Sequence, residues 1–278
     1  MKIAALAPWF GSKRTMAPEI VRVLGDHRCY WEPFCGSMAV LFAKPKCRME
    51  TVNDLHGDLI NLARVVRDKS ASQELRRQAR LYMCSDDDLA ASNKLIRSGP
   101  CGNELDIDRA MAYMAASWMC RNGEAGLRES KTTSRLCVRW GANGGDPGTR
   151  WAGVVRSIAY WHRRLEAVTV LRRCGFEVLE KIIDEPGAAI YCDPPYIVKS
   201  DVYEHDFHND DHDRLAETLN RFQHARVVVS YYAHPRLKSL YPNWLVLDRP
   251  RAKNLGNQSP LKPKGQRNIA PEVLLVKN

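Results

Sequence analysis

Short apolar runs alternate with helical spacing over the first 67 residues and again from residue 168 onward. Cys29-Tyr30-Trp31 leads through Glu32-Pro33-Phe34-Cys35-Gly36-Ser37 into the apolar start Met38-Ala39-Val40-Leu41-Phe42. That order predicts a strand, a tight turn and a helix. Residues 48–52 read as a second strand ending at Asn53-Asp54, and residues 58–67 place Leu59, Leu62, Ala63 and Val66 on one helical face. A βαβ opening of this kind predicts a parallel sheet, because parallel neighbours need a crossover. Later in the chain the same rhythm predicts strands at 168–171, 188–192, 225–232, 244–247 and 272–276, with helices at 176–183 and 210–222.

Residues 68–167 have a different character, with no strong strand pattern. Residues 107–119 read as a buried helix and 151–165 as another. Residues 127–150 read as a basic loop, broken by Gly141-Ala142-Asn143-Gly144-Gly145-Asp146-Pro147-Gly148. The expected organisation is an α/β domain built from residues 1–67 and 168–278, interrupted by a mainly helical insertion over 68–167. Open parallel sheets bind ligands at the carboxyl ends of their strands, so chemistry is expected just after the predicted strands.

Composition narrows the function classes. The 278 residues are 45% hydrophobic and 27% charged, which excludes collagen-like, disordered and disulfide-scaffold chains. Lys and Arg exceed Asp and Glu by 10, which favours a polyanionic partner, nucleic acid being the commonest. The nine cysteines include no pair within four residues, so there is no CxxC zinc pair or redox dithiol. Dispersed thiols fit the reducing cytoplasm. No apolar run approaches the ~20 residues of a membrane helix, and the first ten residues read as mature protein.

The most specific segment is Ile190-Tyr191-Cys192-Asp193-Pro194-Pro195-Tyr196. Two prolines stop the ladder and fix the backbone at the strand's carboxyl edge. Asp193 and the Pro194 carbonyl are acceptors, and Tyr196 adds a flat apolar face. That set suits an exocyclic amino group on a planar base.

Here the sequence resembles the N6-adenine-specific DNA methyltransferases, in particular the DNA adenine methylase family and its prophage-encoded relatives. The resemblance covers nearly the whole chain. Pro8-Trp9-Phe10-Gly11-Ser12-Lys13-Arg14 resembles the amino-terminal Trp-x-Gly-Gly-Lys element, and Glu32-Pro33-Phe34-Cys35-Gly36-Ser37 the Phe-x-Gly-x-Gly cofactor loop. Val52-Asn53-Asp54-Leu55 with Asp58-Leu59-Ile60-Asn61-Leu62 resembles the second-strand acidic motif and its helix. Asp211-His212-Asp213-Arg214-Leu215-Ala216 and Val229-Ser230-Tyr231-Tyr232 resemble later motifs. Cofactor motifs first, then an insertion, then Asp-Pro-Pro-Tyr is the family's α arrangement, in which the insertion is the target-recognition domain.

The resemblance implies a Rossmann-like methyltransferase sheet, mostly parallel with an antiparallel closing strand. It implies S-adenosylmethionine as cofactor, held by Trp9, Lys13, Glu32, Pro33, Phe34, Gly36, Asp54 and Asp193. Asp193, Pro194, Pro195 and Tyr196 would be catalytic, acting by direct transfer to a flipped-out adenine. Arg121, Asn122, Arg135, Arg139 and Tyr203 would contact double-stranded DNA. The enzyme would act as a cytoplasmic monomer, with room for a separate cognate restriction endonuclease. Two departures stand out: Met38 replaces the second loop glycine, and Cys174-Gly175-Phe176 lacks the acid that relatives place near the cofactor's adenine. Cytosine-N4 methylation and a catalytically silent DNA-binding role remain open alternatives.

Other signals read as structural. Pro100-Cys101 lies in a loop outside the sheet pattern. His205, His208 and His212 among Asp206, Asp210, Asp211 and Asp213 read as a loop entering a helix, so no metal site is assigned. Arg249, Arg251, Lys253, Lys262, Lys264 and Arg267 form a second basic stretch between the last two strands, a candidate clamp on the DNA backbone.

Overall fold

The computed structural model describes residues 2–9, 11–120, 136–138, 146–197, 207–252 and 269–277. In chain order these form α1 (Ala17–Leu24), β1 (Cys29–Glu32), α2 (Ala39–Ala43), β2 (Met49–Asn53), α3 (Gly57–Arg67), α4 (Lys69–Leu81), α5 (Asp86–Arg97) and α6 (Ile107–Met119). They continue with α7 (Pro147–Leu165), β3 (Thr169–Leu171), α8 (Gly175–Lys181), β4 (Ala188–Cys192), α9 (Asn209–Asn220), β5 (Arg226–Tyr232) and α10 (Leu237–Leu240). β6 (Leu245–Asp248), β7 (Arg251–Ala252), β8 (Ile269–Ala270) and β9 (Glu272–Lys277) complete the set.

Seven strands form one sheet in the order β3-β2-β1-β4-β5-β9-β6. The first five are parallel, and β9 runs antiparallel between β5 and β6. This is the expected Rossmann-like methyltransferase sheet. Alternation along β5 explains the layering: Val227, Val229 and Tyr231 join a core with α8 and α9, while Val228 faces the opposite core. Helices α1 to α4, α6 and α7 pack on that second face, so the sheet is covered on both sides.

The helical part of the insertion shares the core of that face. Arg109 on α6 is buried; it pairs with Asp58 on α3 and donates to the carbonyls of Ile96 (2.9 Å) and Gly99 (2.7 Å). Trp161 on α7 donates to Ile3 O at 2.6 Å, and Trp118 on α6 to Leu6 O at 2.9 Å. These two indoles hold the amino-terminal segment that carries Trp9 and Lys13.

One local expectation is corrected. Residues 147–150 are the first turn of α7, not the end of a loop. Asp146 caps the helix by accepting from Thr149 N at 2.8 Å, and Pro147 occupies the first turn, where its missing N–H is no loss. A breaker-rich segment ending in Asp-Pro is thus a helix start.

Candidate active site

The strand order reverses between β1 and β4, so their carboxyl ends open a crevice at the switch point of the sheet. Two loops border it: residues 33–38 after β1 and residues 193–196 after β4.

The loop after β1 is held through its backbone. Gly36 has φ +43°, and a Cβ there would lie 3.0 Å from the Trp9 indole nitrogen, so glycine lets Trp9 cover the loop. Asp54, one residue past β2, accepts from Gly36 N (2.8 Å) and His56 N (3.0 Å). Asn53 is buried and donates to Pro33 O and Arg173 O, both at 2.9 Å. It also accepts from Arg173 N at 2.9 Å, and its own carbonyl accepts from Cys35 N at 2.9 Å. One asparagine therefore ties together the loops after β1 and β3.

Met38 takes the left-handed conformation, φ 58° and ψ 27°, with its side chain fully buried. The loop thus takes a glycine-type backbone at a non-glycine residue. Left-handed geometry costs an L-residue about 1–2 kcal/mol, and burial of the Met38 side chain offsets it.

The loop after β4 is held by side chains. Lys13 is only 4% exposed. Its ammonium pairs with Asp193 Oδ1 at 2.9 Å, donates to Gly11 O at 2.7 Å and lies 5.0 Å from the centre of the Tyr196 ring. A buried ammonium needs such partners. Ser230 Oγ also donates to Asp193 Oδ1, at 2.7 Å. Tyr196 is buried, packs edge-on against Tyr232 at 4.5 Å between ring centres, and donates to Glu272 Oε2 at 2.9 Å. Burial first, then the charges of Asp193 and Glu272, push its phenol well above the ordinary value, so it stays protonated.

Glu32 lies between the two loops and is 2% exposed. Burial pushes its carboxyl up to about 8; the Tyr30 hydroxyl, which donates to Oε2 at 2.9 Å, opposes this and the Asp193 charge adds to it. Phe34 closes the floor. It meets Phe207 edge-on at 6.1 Å, and a Cβ on Gly175 would lie 2.6 Å from its ring. Phe176 stacks on Phe207 at 5.9 Å, with the Arg214 guanidinium 4.3 Å from the Phe176 ring centre.

Trp9, Lys13, Glu32, Pro33, Phe34, Gly36, Asp54 and Asp193 to Tyr196 therefore come together around one crevice. The DNA-contact candidates Arg121, Asn122, Arg135, Arg139 and Tyr203 lie outside the described residues, as do His205, Asp206 and the basic stretch from Lys253 to Arg267. Arg249 is engaged by Glu19 at 2.8 Å. Cys101 is buried, and its carbonyl accepts from Arg172 at 2.8 Å. His212 faces the Tyr231 hydroxyl at 2.9 Å through Nδ1, and burial pushes its imidazole down to about 4. Asp211 accepts from His208 N at 2.8 Å at the start of α9, as the loop-to-helix reading expects.

Asn53, Tyr191, Ser230 and Glu272 join the site although the sequence assigns them no role in it. Asn53, Tyr191 and Ser230 lie inside its motifs: Asn53 precedes the acidic residue at a strand end, and Ser230 interrupts the apolar run Val227-Val228-Val229. Glu272 carries no such signal.

The sheet order and the crevice define a methyltransferase of Rossmann-like architecture. The family model for D12 class N6 adenine-specific DNA methyltransferases matches residues 9–253, and the chain belongs to that family. It is an enzyme that methylates adenine in DNA at N6. The family settles for adenine the choice that the residues alone left open between adenine N6, cytosine N4 and a silent role. No curated protein matches the chain. Among the described residues, no helix is long and apolar enough to cross a membrane.

Proposed function

We propose that S-adenosylmethionine is the methyl donor and that the crevice divides into a cofactor half, after β1 and β2, and an acceptor half, after β4. The observation that carries this reading is the pair of carboxyl groups on one side of the switch point, Asp54 on the Gly36 amide and Glu32 at the end of β1, with Asp193 facing them from the end of β4. That donor set fits a ligand with a ribose diol and cationic amino and sulfonium groups. When bound, the cofactor supplies a methyl group on positively charged sulfur.

In the cofactor half, Gly36 allows close backbone approach and Asp54 takes the ribose hydroxyls. The positive charge of the ligand favours the ionised form of Glu32, which burial otherwise disfavours. Trp9, Pro33 and Phe34 shape the walls, and Lys13 serves the carboxylate of the ligand. In the acceptor half, Asp193 and the Pro194 carbonyl accept the two amino hydrogens of a flipped adenine. This turns the nitrogen lone pair, otherwise delocalised into the ring, toward the methyl group. Pro195 keeps the turn rigid and Tyr196 stacks on the base. Orientation supplies much of the rate, with no covalent intermediate on the enzyme.

Residues 68–167 act as the target-recognition insertion, with Arg121, Asn122, Arg135 and Arg139 from its basic segment and Tyr203, between β4 and α9 in sequence, on DNA. The excess of basic residues supports phosphate contact.

Calorimetric titration of S-adenosylmethionine into wild type and Asp54→Ala tests the cofactor half. Loss of a charge-assisted hydrogen bond costs about 1.5–3 kcal/mol, so affinity should fall roughly 10- to 100-fold. Equal affinity would make Asp54 only a brace for the loop.

A further inference from the structure

Ser230 is fully buried near the carboxyl end of β5. β4 and β5 are in register with Cys192 opposite Val229, so Asp193 and Ser230 fall side by side where β4 ends and β5 continues against β9. Ser230 Oγ lies 2.7 Å from Asp193 Oδ1, 3.0 Å from the Tyr191 hydroxyl and 3.5 Å from Cys192 O. A carboxylate only accepts, and serine has one proton to give. The short contact to Asp193 takes that proton, so the Tyr191 hydroxyl donates to Ser230. The direction of the chain is fixed: Tyr191 to Ser230 to Asp193. Lys13 donates to the same oxygen at 2.9 Å. Oδ1 thus holds two donors, while Oδ2 accepts no hydrogen bond among the described residues.

We infer that Ser230 is a positioning residue for methyl transfer. It acts through Asp193: together with Lys13 it saturates Oδ1, locks the carboxylate rotamer and leaves Oδ2 to receive the amino group of the substrate adenine. Tyr191 stands behind it and holds the serine hydroxyl in the donating orientation. This rests on the reading of Asp193 as the acceptor. A preorganised acceptor removes the reorientation that the reaction would otherwise require.

The test is the single-turnover rate of methyl transfer at saturating DNA and S-adenosylmethionine, with the KM for DNA measured beside it. Ser230→Ala should lower the rate about tenfold, with unchanged cofactor affinity and little change in the KM for DNA. Ser230→Thr, which keeps the hydroxyl, should recover most of the rate, and Tyr191→Phe should show a smaller loss in the same direction. In an Asp193→Asn background, Ser230→Ala should lower the rate no further. A folded Ser230→Ala protein with the wild-type rate would overturn the inference. So would a threonine variant that is folded yet as slow as the alanine variant. If Asp193→Ala itself kept the wild-type rate, the underlying reading of Asp193 would fail instead.

Discussion

The loops after β1 and β4 are neighbours at one crevice and are built in opposite ways. Around Gly36 the fixed partners are backbone groups: Asp54 holds the Gly36 amide, Asn53 holds the Pro33 carbonyl, and Trp9 lies on bare glycine. Around Asp193 they are side chains: Lys13 and Ser230 on the carboxylate, Glu272 on the Tyr196 hydroxyl. The difference matches the two tasks. A backbone cradle fixes shape, which a cofactor bound in one pose needs. A carboxylate held by side chains fixes the direction of one lone pair, which the reacting amine needs. Damage to the first loop should therefore appear as weaker cofactor binding and lower stability. Damage to the second should appear in the chemical step.

The largest effect is expected at Asp193. Removing one preorganised acceptor costs on the order of 10²–10³ in rate, so Asp193→Ala should lower single-turnover transfer at least that far. It also leaves the buried Lys13 ammonium without its ion pair, so its melting temperature should fall and the rate is compared where the variant is folded. A wild-type rate would remove Asp193 from the mechanism.

Asn53→Ala should come next and fall on the other side of the comparison. It strands the buried carbonyl of Pro33, an unsatisfied group worth about 1–3 kcal/mol, and removes the part-buried bonds to Arg173. Melting temperature and S-adenosylmethionine affinity should drop together, while the transfer rate at saturating cofactor stays within a few-fold of wild type. Unchanged affinity would show that the cradle does not depend on this tie.

Gly36→Ala should act the same way with a smaller effect. The added Cβ meets the Trp9 indole at 3.0 Å and forces an L-residue into φ +43°, a cost of about 1–2 kcal/mol before Trp9 adjusts. A slower transfer step at saturating cofactor, with normal affinity, would blur the division between the two loops.

Glu32, which lies between them, is read through the pH dependence of stability instead of through rate or affinity. Its carboxyl is pushed from an ordinary 4.5 up to about 8, so between these values the folded protein holds a proton that the unfolded chain releases. The stability contribution is present below about 4.5 and is lost as pH rises toward 8. Thermal melts from pH 5 to 9 should therefore decline less steeply for Glu32→Gln than for wild type. Identical slopes would mean that Glu32 is already ionised in the fold.

Much of this was legible in the sequence because it is local. A strand followed by Glu32-Pro33-Phe34-Cys35-Gly36 and another followed by Asp193-Pro194-Pro195-Tyr196 place both loops at strand ends, and the family resemblance implies the sheet type; the strand order comes from the structure. The helix over residues 107–119 came directly from its apolar character. What escaped was of two kinds. The first turn of α7 was hidden because Asp146-Pro147-Gly148 carries the same residues as a turn, and only the Thr149 amide shows Asp146 to be a cap. The contacts of Asn53 and Ser230 were hidden because they join residues 120 and 37 positions apart, which linear spacing cannot express.

The division of labour is tested most directly by titrating S-adenosylmethionine into Asp193→Ala. The account predicts a dissociation constant within about threefold of wild type in a protein that no longer transfers methyl groups. If cofactor binding fell as far as transfer does, the two loops would form one inseparable site, and the account would be wrong.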